Sequence, residues 1–221
     1  MKILENLYYY PERAMLDCNT YVVKGEKTLL IDSGNLSSIE SKIGEMQTDG
    51  IKKIDTILLT HLHIDHYSSN ALLKERFGAQ IGLHNLHRKY FDFILKGTRF
   101  LSSMLDFDVK EAEFKPDFYF DDEFNLCGLK IIQAPGHSPD SICFWSPKEK
   151  FLICGDVVFE SSTGRVDLPG GSADQLKNSI NELSKLGIAY LLPGHMGIIK
   201  GQGNVKTNFD YVREFVFEWL K

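Results

Sequence analysis

No apolar run in this 221-residue chain approaches the ~18 residues needed to cross a bilayer, which argues against a membrane-spanning protein. Basic residues cluster no further than pairs such as Lys52-Lys53 and Arg88-Lys89. With 25 Lys+Arg against 30 Asp+Glu the formal charge is −5, so a nucleic-acid-binding surface is unsupported. Cysteine is scarce: Cys18, Cys127, Cys143 and Cys154 show no C-x-x-C spacing, and Cys143 and Cys154 lie inside apolar runs. Buried reduced thiols are expected rather than disulfides. The amino terminus lacks an apolar signal core, being interrupted by Lys2, Glu5 and Pro11, and the expectation is an unprocessed, cytoplasmic protein. Neither a low-complexity linker nor an internal repeat divides the chain.

What is present is ordinary for a soluble globular protein: 43% hydrophobic and 25% charged residues. At about 150 residues per domain, a single domain over 1–221 is the economical organisation. β-rich runs at 19–23 and 28–32, separated by Lys24-Gly25-Glu26-Lys27, read as a hairpin. Ser37-x-x-Glu40 is a capping-box pattern opening a helix to about Asp49, with Gly50 as its stop, so that Asn35-Leu36-Ser37 is a turn or helix start rather than a glycosylation site. A strand at 54–60, a helix at 67–77 closed by Gly78 and a strand at 79–83 continue the alternation. Strands are expected at 124–133, 141–145 and 151–154; Ser172-x-x-Gln175 then opens a helix to about Leu186, and a strand follows at 189–192. Phe209, Val212, Val216 and Trp219, at steps of three, four and three, share one face of a terminal helix.

Residues 85–107 hold Tyr90, Phe91, Phe93, Ile94, Leu95, Phe100, Leu101, Met104 and Leu105, and read as too apolar all round for a simple surface helix. Lid, core packing and a homodimer surface stay open for this insertion. As a cleft wall it would select an apolar acyl or aromatic moiety.

The chemistry concentrates in Thr60-His61-Leu62-His63-Ile64-Asp65-His66, directly after an apolar strand. His61 and His63 are two apart, so extended backbone puts both rings on one side, able to grip one ion. Asp65 and His66 are adjacent and would face opposite ways in a strand, so the chain must turn here for both to join a site. Three further polar residues follow later apolar runs: His137 in Ala134-Pro135-Gly136-His137, Asp156 in Gly155-Asp156, and His195 in Pro193-Gly194-His195. Taken alone, each is a turn signal; their recurrence beside the first cluster makes them ligand candidates. Five histidines and two aspartates exceed the four ligands of one tetrahedral zinc, so convergence of all seven implies two ions bridged by one carboxylate. Imidazole with carboxylate suits Zn, Fe or Mn, and the absence of cysteine from these motifs points to a catalytic rather than a structural site. His84 and His87 fall outside the pattern and are expected in core, surface or lid roles.

In the order T-H-x-H-x-D-H, G-H, G-D and P-G-H over positions 60–195, the sequence resembles the metallo-β-lactamase superfamily, and Asp32 in Leu29-Leu30-Ile31-Asp32-Ser33-Gly34 is similar to that family's early strand-end aspartate. The resemblance implies an α/β fold, an αββα sandwich with a helical insertion and the metals at one edge of its sheets. It implies that His61, His63 and His137 hold one divalent ion, most simply zinc, that Asp65, His66 and His195 hold a second, that Asp156 bridges them and that Asp32 orients a ligand. Gly155-Asp156-Val157-Val158-Phe159, followed by Gly164-Arg165-Val166-Asp167-Leu168-Pro169-Gly170-Gly171, is similar to the glyoxalase II-like branch. That branch implies hydrolysis of a small-molecule thioester or ester by a metal-bridging hydroxide, with Asp65 or Asp156 handling the proton. The chain departs from full-length glyoxalase II in ending on a single terminal helix, which leaves glutathione specificity unsupported. Arg165 and Asp167 are expected to pair with each other. Rival readings are a mononuclear-iron persulfide dioxygenase using His61, His137 and Asp156, and a lactonase of the same fold.

Overall fold

The computed structural model describes residues 1–105 and 114–221, with side-chain detail for 1–99 and 114–221; the end of the 85–107 insertion, with the side chains of Phe100, Leu101, Met104 and Leu105, lies outside the described residues. The chain forms two compact units, Met1–Asp121 and Asp122–Lys221.

The first unit is built on a seven-stranded sheet whose spatial order follows the sequence: β1 (Lys2–Leu4), β2 (Leu7–Tyr10), β3 (Thr20–Lys24), β4 (Thr28–Ile31), β5 (Thr56–Leu58), β6 (Gln80–His84) and β7 (Phe118–Phe120). Strands β1–β4 are antiparallel, including the expected hairpin across Lys24–Thr28, and β4–β7 are parallel. Parallel pairing requires crossovers, supplied by α1 (Leu36–Thr48), α2 (Ile64–Tyr67) with α3 (Asn70–Phe77), and α4 (Asn85–Leu105). Ile39, Ile43 and Met46 of α1 and Leu73 of α3 pack on Tyr8, Tyr10, Val22, Leu30, Ile57 and Ile81, alternate residues of neighbouring strands and hence one sheet face. The opposite alternates Leu7, Tyr21, Val23, Leu29 and Ile31 are also buried, which explains why these strands read as continuous apolar runs.

Several expectations shift in detail. The cap of α1 is Asn35, whose side chain accepts from Ser37 N, and not Ser37: the asparagine comes first in the extended backbone a cap requires. The helix expected at 67–77 is two pieces, the first starting three residues early at Ile64. The insertion is amphipathic over 85–99. His87, Phe91, Ile94 and Thr98 turn inward, while Arg88, Lys89, Asp92, Phe93, Lys96 and Arg99 are exposed. Its apolar letters therefore divide by helical phase, against the expectation of a helix apolar all round.

The second unit carries a five-stranded sheet in the order β14-β13-β10-β9-β8, from β8 (Lys130–Gln133), β9 (Ile142–Ser146), β10 (Phe151–Gly155), β13 (Tyr190–Pro193) and β14 (Ile199–Lys200), with a separate hairpin of β11 (Val158–Phe159) and β12 (Ser162–Thr163). Cys143, Trp145, Leu152 and Cys154 pack with Leu176, Ile180 and Leu183 of α5 (Ala173–Leu183) and Val205 and Phe209 of α6 (Gln202–Tyr211). Ser172 caps α5 as expected, accepting from Gln175 N. The strand expected at 124–133 shortens to β8, because Cys127 and Gly128 take left-handed backbone and turn the chain. Phe209 and Val212 are buried, but Trp219 is 81% exposed. After α6 the backbone winds through a π-helical turn at Val212–Val216, with Phe217 N donating to Val212 O; this wider turn breaks the register that would have kept Trp219 on the apolar face. All four cysteines are free thiols, and Cys18, Cys143 and Cys154 are buried. No helix among the described residues is long and apolar enough to cross a membrane.

Packing of α1 depends on one buried cation. Lys42 Nζ, fully shielded from solvent, donates to Asp17 Oδ1 at 2.8 Å, Cys18 O at 2.6 Å and Thr20 Oγ1 at 3.2 Å. Lys42→Met should lower the unfolding free energy by about 3–5 kcal/mol, since it leaves Asp17 buried without its counter-ion. Arg76→Ala, which breaks the exposed Arg76–Glu40 pair, should cost less than about 1 kcal/mol. Urea denaturation of the two variants measures both; equal losses would contradict this ranking.

Candidate metal centre

In the first unit the polar residues hang from the carboxyl ends of β4 and β5. Past Leu59 the chain winds into α2, with His63 at its N-cap, and this early turn is what frees the adjacent Asp65 and His66 from strand alternation. Asp32, buried and held at φ 59° in the left-handed region, accepts from Thr60 N at Oδ1 and from Thr60 Oγ1 at Oδ2, both at 2.8 Å; His66 Nδ1 lies 2.9 Å from Oδ2. A carboxylate only accepts, so His66 carries its proton on Nδ1 and keeps the lone pair on Nε2. Thr60 Oγ1 has already given its one proton to Asp32. At 3.1 Å from His61 Nδ1 it therefore accepts, and His61 likewise keeps its lone pair on Nε2. That Nε2 lies 3.1 Å from His63 Nδ1, the rings of His61 and His66 are 4.1 Å apart, and Asp65 Oδ2 is 3.9 Å from His66 Nε2. Ser33 N and Oγ both donate to the His66 carbonyl, tying the two loops together.

Cys18 sits beside Asp32 and His66, its sulfur within 4.8 Å of their ligand-type atoms. Burial pushes the thiol up from its ordinary value, with His66 beside it acting in the opposite direction. A single cysteine outside any motif offered the sequence reading no signal for this placement. His84 and His87 are buried; His84 N donates to His87 Nδ1 and Leu86 N to His84 Nδ1, so the pair serves the start of α4.

In the second unit β8 and β9 are antiparallel, as are β9 and β10, while β10 and β13 are parallel. Strands β8, β10 and β13 therefore run in one direction, and the residues beyond their carboxyl ends, His137, Asp156 and His195, gather at one edge of the sheet. His137 Nε2 lies 3.5 Å and His195 Nε2 3.4 Å from the same oxygen, Asp156 Oδ2. His137 Nδ1 donates to the Arg165 carbonyl at 2.7 Å, which leaves Nε2 as its lone-pair atom. The segment carrying that carbonyl passes very close: a Cβ on Gly164 would stand 1.9 Å from the Asp156 carbonyl oxygen and 2.9 Å from His137 Nδ1. The Arg165 side chain pairs as expected with Asp167, donating from Nε and Nη2 at 2.7 Å each, and holds that carboxyl down at about 2. Phe159 meets the His195 ring edge-on, with centroids 5.9 Å apart. The first unit thus brings together Asp32, His61, His63, Asp65 and His66, and the second brings together His137, Asp156 and His195.

An α/β chain with imidazoles and carboxylates gathered where parallel strands end has the architecture of a metal-dependent hydrolase. This chain belongs to the metallo-β-lactamase superfamily, which it matches over residues 14–195. It is 34% identical over 205 residues to the protein named Probable metallo-hydrolase MJ0888 of Methanocaldococcus jannaschii, covering 90% of this chain and 94% of that one. Hydroxyacylglutathione hydrolase GloC of Haemophilus influenzae is 32% identical over 161 residues, 70% of this chain and 71% of the relative. The fold is that of the crystal structure of TTHA1623 in a di-iron-bound form, with TM-score 0.76 and 28% identity over 90% of this chain and 98% of that one. The protein is accordingly a metal-dependent hydrolase with the metallo-β-lactamase fold.

Gly164→Ala should cost about 1–3 kcal/mol, because the added methyl overlaps the Asp156 backbone, and should reduce bound metal by displacing the Arg165 carbonyl from His137. A thermal melt with elemental analysis tests this; an unchanged melt and metal content would refute the close approach. In Arg165→Ala the Asp167 carboxyl should titrate near 3.8 instead of about 2, followed by NMR. Its folded pKa being depressed, the pair stabilises the protein above pH 3.8 and that contribution fades as pH falls towards 2.

Proposed function

We propose that this protein hydrolyses a small-molecule thioester or ester with two divalent ions. In this proposal His61, His63 and His137 hold the first ion, Asp65, His66 and His195 hold the second, Asp156 bridges them, and Asp32 orients His66. The observation that carries it lies in the second unit: imidazoles from two different strand ends aim Nε2 at one oxygen of the buried Asp156, the arrangement a bridging carboxylate needs.

The donor set fits such ions. His61 Nε2 and His63 Nδ1 are 3.1 Å apart, close to the roughly 3.3 Å edge of a tetrahedron with ~2.05 Å metal–nitrogen bonds. Imidazole and carboxylate donors without a thiolate suit zinc, iron or manganese. When bound, the ions supply a water acidic enough to act as nucleophile near neutral pH and a Lewis acid for the carbonyl oxygen.

The chain's own groups do the rest. Asp32 and the Arg165 carbonyl hold protons on the Nδ1 atoms of His66 and His137, so each ring offers Nε2 to the site. In this proposal Asp65, whose side chain is 19% exposed, would take the proton of the attacking water. As the new C–O bond forms, the C–S or C–O bond of the substrate breaks and the thiolate or alkoxide departs. The likeness to a hydroxyacylglutathione hydrolase supports a thioester, and the free thiols and acidic balance suit a cytoplasmic enzyme of small molecules rather than one acting on nucleic acid.

Elemental analysis of the purified protein should give two ions per chain, and a chelator should abolish turnover across a panel of acyl thioesters, aryl esters and lactones until metal is restored. Asp156→Ala should retain less than two ions and lose at least about 100-fold in kcat. A parent protein with a single iron per chain, consuming dioxygen with a persulfide substrate, would replace this reading with the dioxygenase; preference for lactones over thioesters would move it to a lactonase.

A further inference from the structure

The hairpin that follows Asp156 is gripped from behind by one side chain. Asn208, on α6 and 7% exposed, donates from Nδ2 to the Phe159 carbonyl at 2.8 Å and accepts from Ser161 N at Oδ1 at 2.7 Å. A single amide thereby ties both ends of the three-residue turn Phe159–Glu160–Ser161, whose last residue sits at φ 54°. Non-glycine residues rarely hold that left-handed conformation unless the surroundings fix it. The side chain of Phe159, at the first anchored residue, is 8% exposed and lies edge-on to the His195 imidazole at 81° between planes. His195 itself retains 23% side-chain exposure, its Nε2 lies 3.4 Å from Asp156 Oδ2, and the Phe159 edge packs against its ring.

We infer that Asn208 is a positioning residue: through the Phe159 ring it holds His195 in the orientation that binds the second ion. The inference rests on the dinuclear reading above, in which His195 belongs to the second ion and His137 to the first. Asn208 touches neither substrate nor metal, and its effect travels through one turn and one aromatic contact. The sequence reading passed over it because an asparagine in a terminal helix carries no motif of its own; only the fold brings it behind the hairpin.

The test is stepwise zinc affinity, measured by competition with a chromophoric chelator, in the parent protein, Asn208→Ala, Phe159→Leu and the double variant. Loss of an outer partner that orients a ligand costs 10–100-fold in metal affinity. The expected result is a second zinc weakened about tenfold in each single variant with the first zinc unchanged, and a double variant no weaker than the single ones, since both act along one route. Asn208→Ala binding two zinc ions like the parent, or weakening both ions equally as a general loss of structure would, overturns the inference, as do additive losses in the double variant. Should Asn208→Ala fail to fold, unchanged second-ion affinity in Phe159→Leu overturns it equally. A parent protein that takes only one ion brings down the dinuclear reading and this inference together, a result distinct from a parent with two ions and insensitive variants.

Discussion

The buried carboxylate of Asp32 is the fixed point from which the first unit's polar loop is built. It receives three donors from the His-rich segment, the backbone N and hydroxyl of Thr60 and Nδ1 of His66, while its own backbone is held in the left-handed region. An ionised group out of reach of water is tolerable only when its acceptor sites are filled in this way. The consequence reaches past stability. By claiming the proton on His66 Nδ1 and, through Thr60, assigning the proton on His61 Nδ1, one carboxylate sets the tautomers of two imidazoles before any ligand arrives. Preorganisation of this kind matters because a histidine of the wrong tautomer presents a proton where a lone pair is needed.

The second unit solves the corresponding problem with backbone. His137 is oriented by a carbonyl rather than a carboxylate, and the carbonyl reaches it because residue 164 has no side chain to keep the segment away from Asp156. His195 leans on an aromatic edge. Three imidazoles thus meet three different partners: a carboxylate, a backbone carbonyl and an aromatic edge. The hairpin at the back of His195 is clamped by a buried amide.

Much of this was legible in the letters. The H-x-H-x-D-H spacing and the recurring strand–glycine–polar signals pointed to His61, His63, Asp65 and His66, which gather in the first unit, and to His137, Asp156 and His195, which gather in the second. Strands β3–β6, β9, β10 and β13 and the cap at Ser172 were legible for similarly local reasons. Less local features were not. Asn35 displaced Ser37 as a cap because the competition between neighbouring cap residues is settled by where the backbone leaves the extended region. Composition alone makes the insertion uniformly apolar, whereas its helical phase puts Arg88, Asp92 and Lys96 on the outer face. Trp219 followed a correct periodicity up to the π-helical turn, which adds a residue to the turn without any letter announcing it.

The sequence by itself therefore determined the family and the residue types offered as candidate donors, since these depend on residue type and on neighbours a few positions away. Tertiary structure alone decided the partners of these side chains: Thr60 and His66 on Asp32, the Arg165 carbonyl on His137, Cys18 beside His66, and Asn208 behind Phe159. Each of those pairs residues far apart in the chain, and none could be read locally. A hydrogen bond or an aromatic edge requires ångström-scale placement that only a packed core and a paired sheet supply.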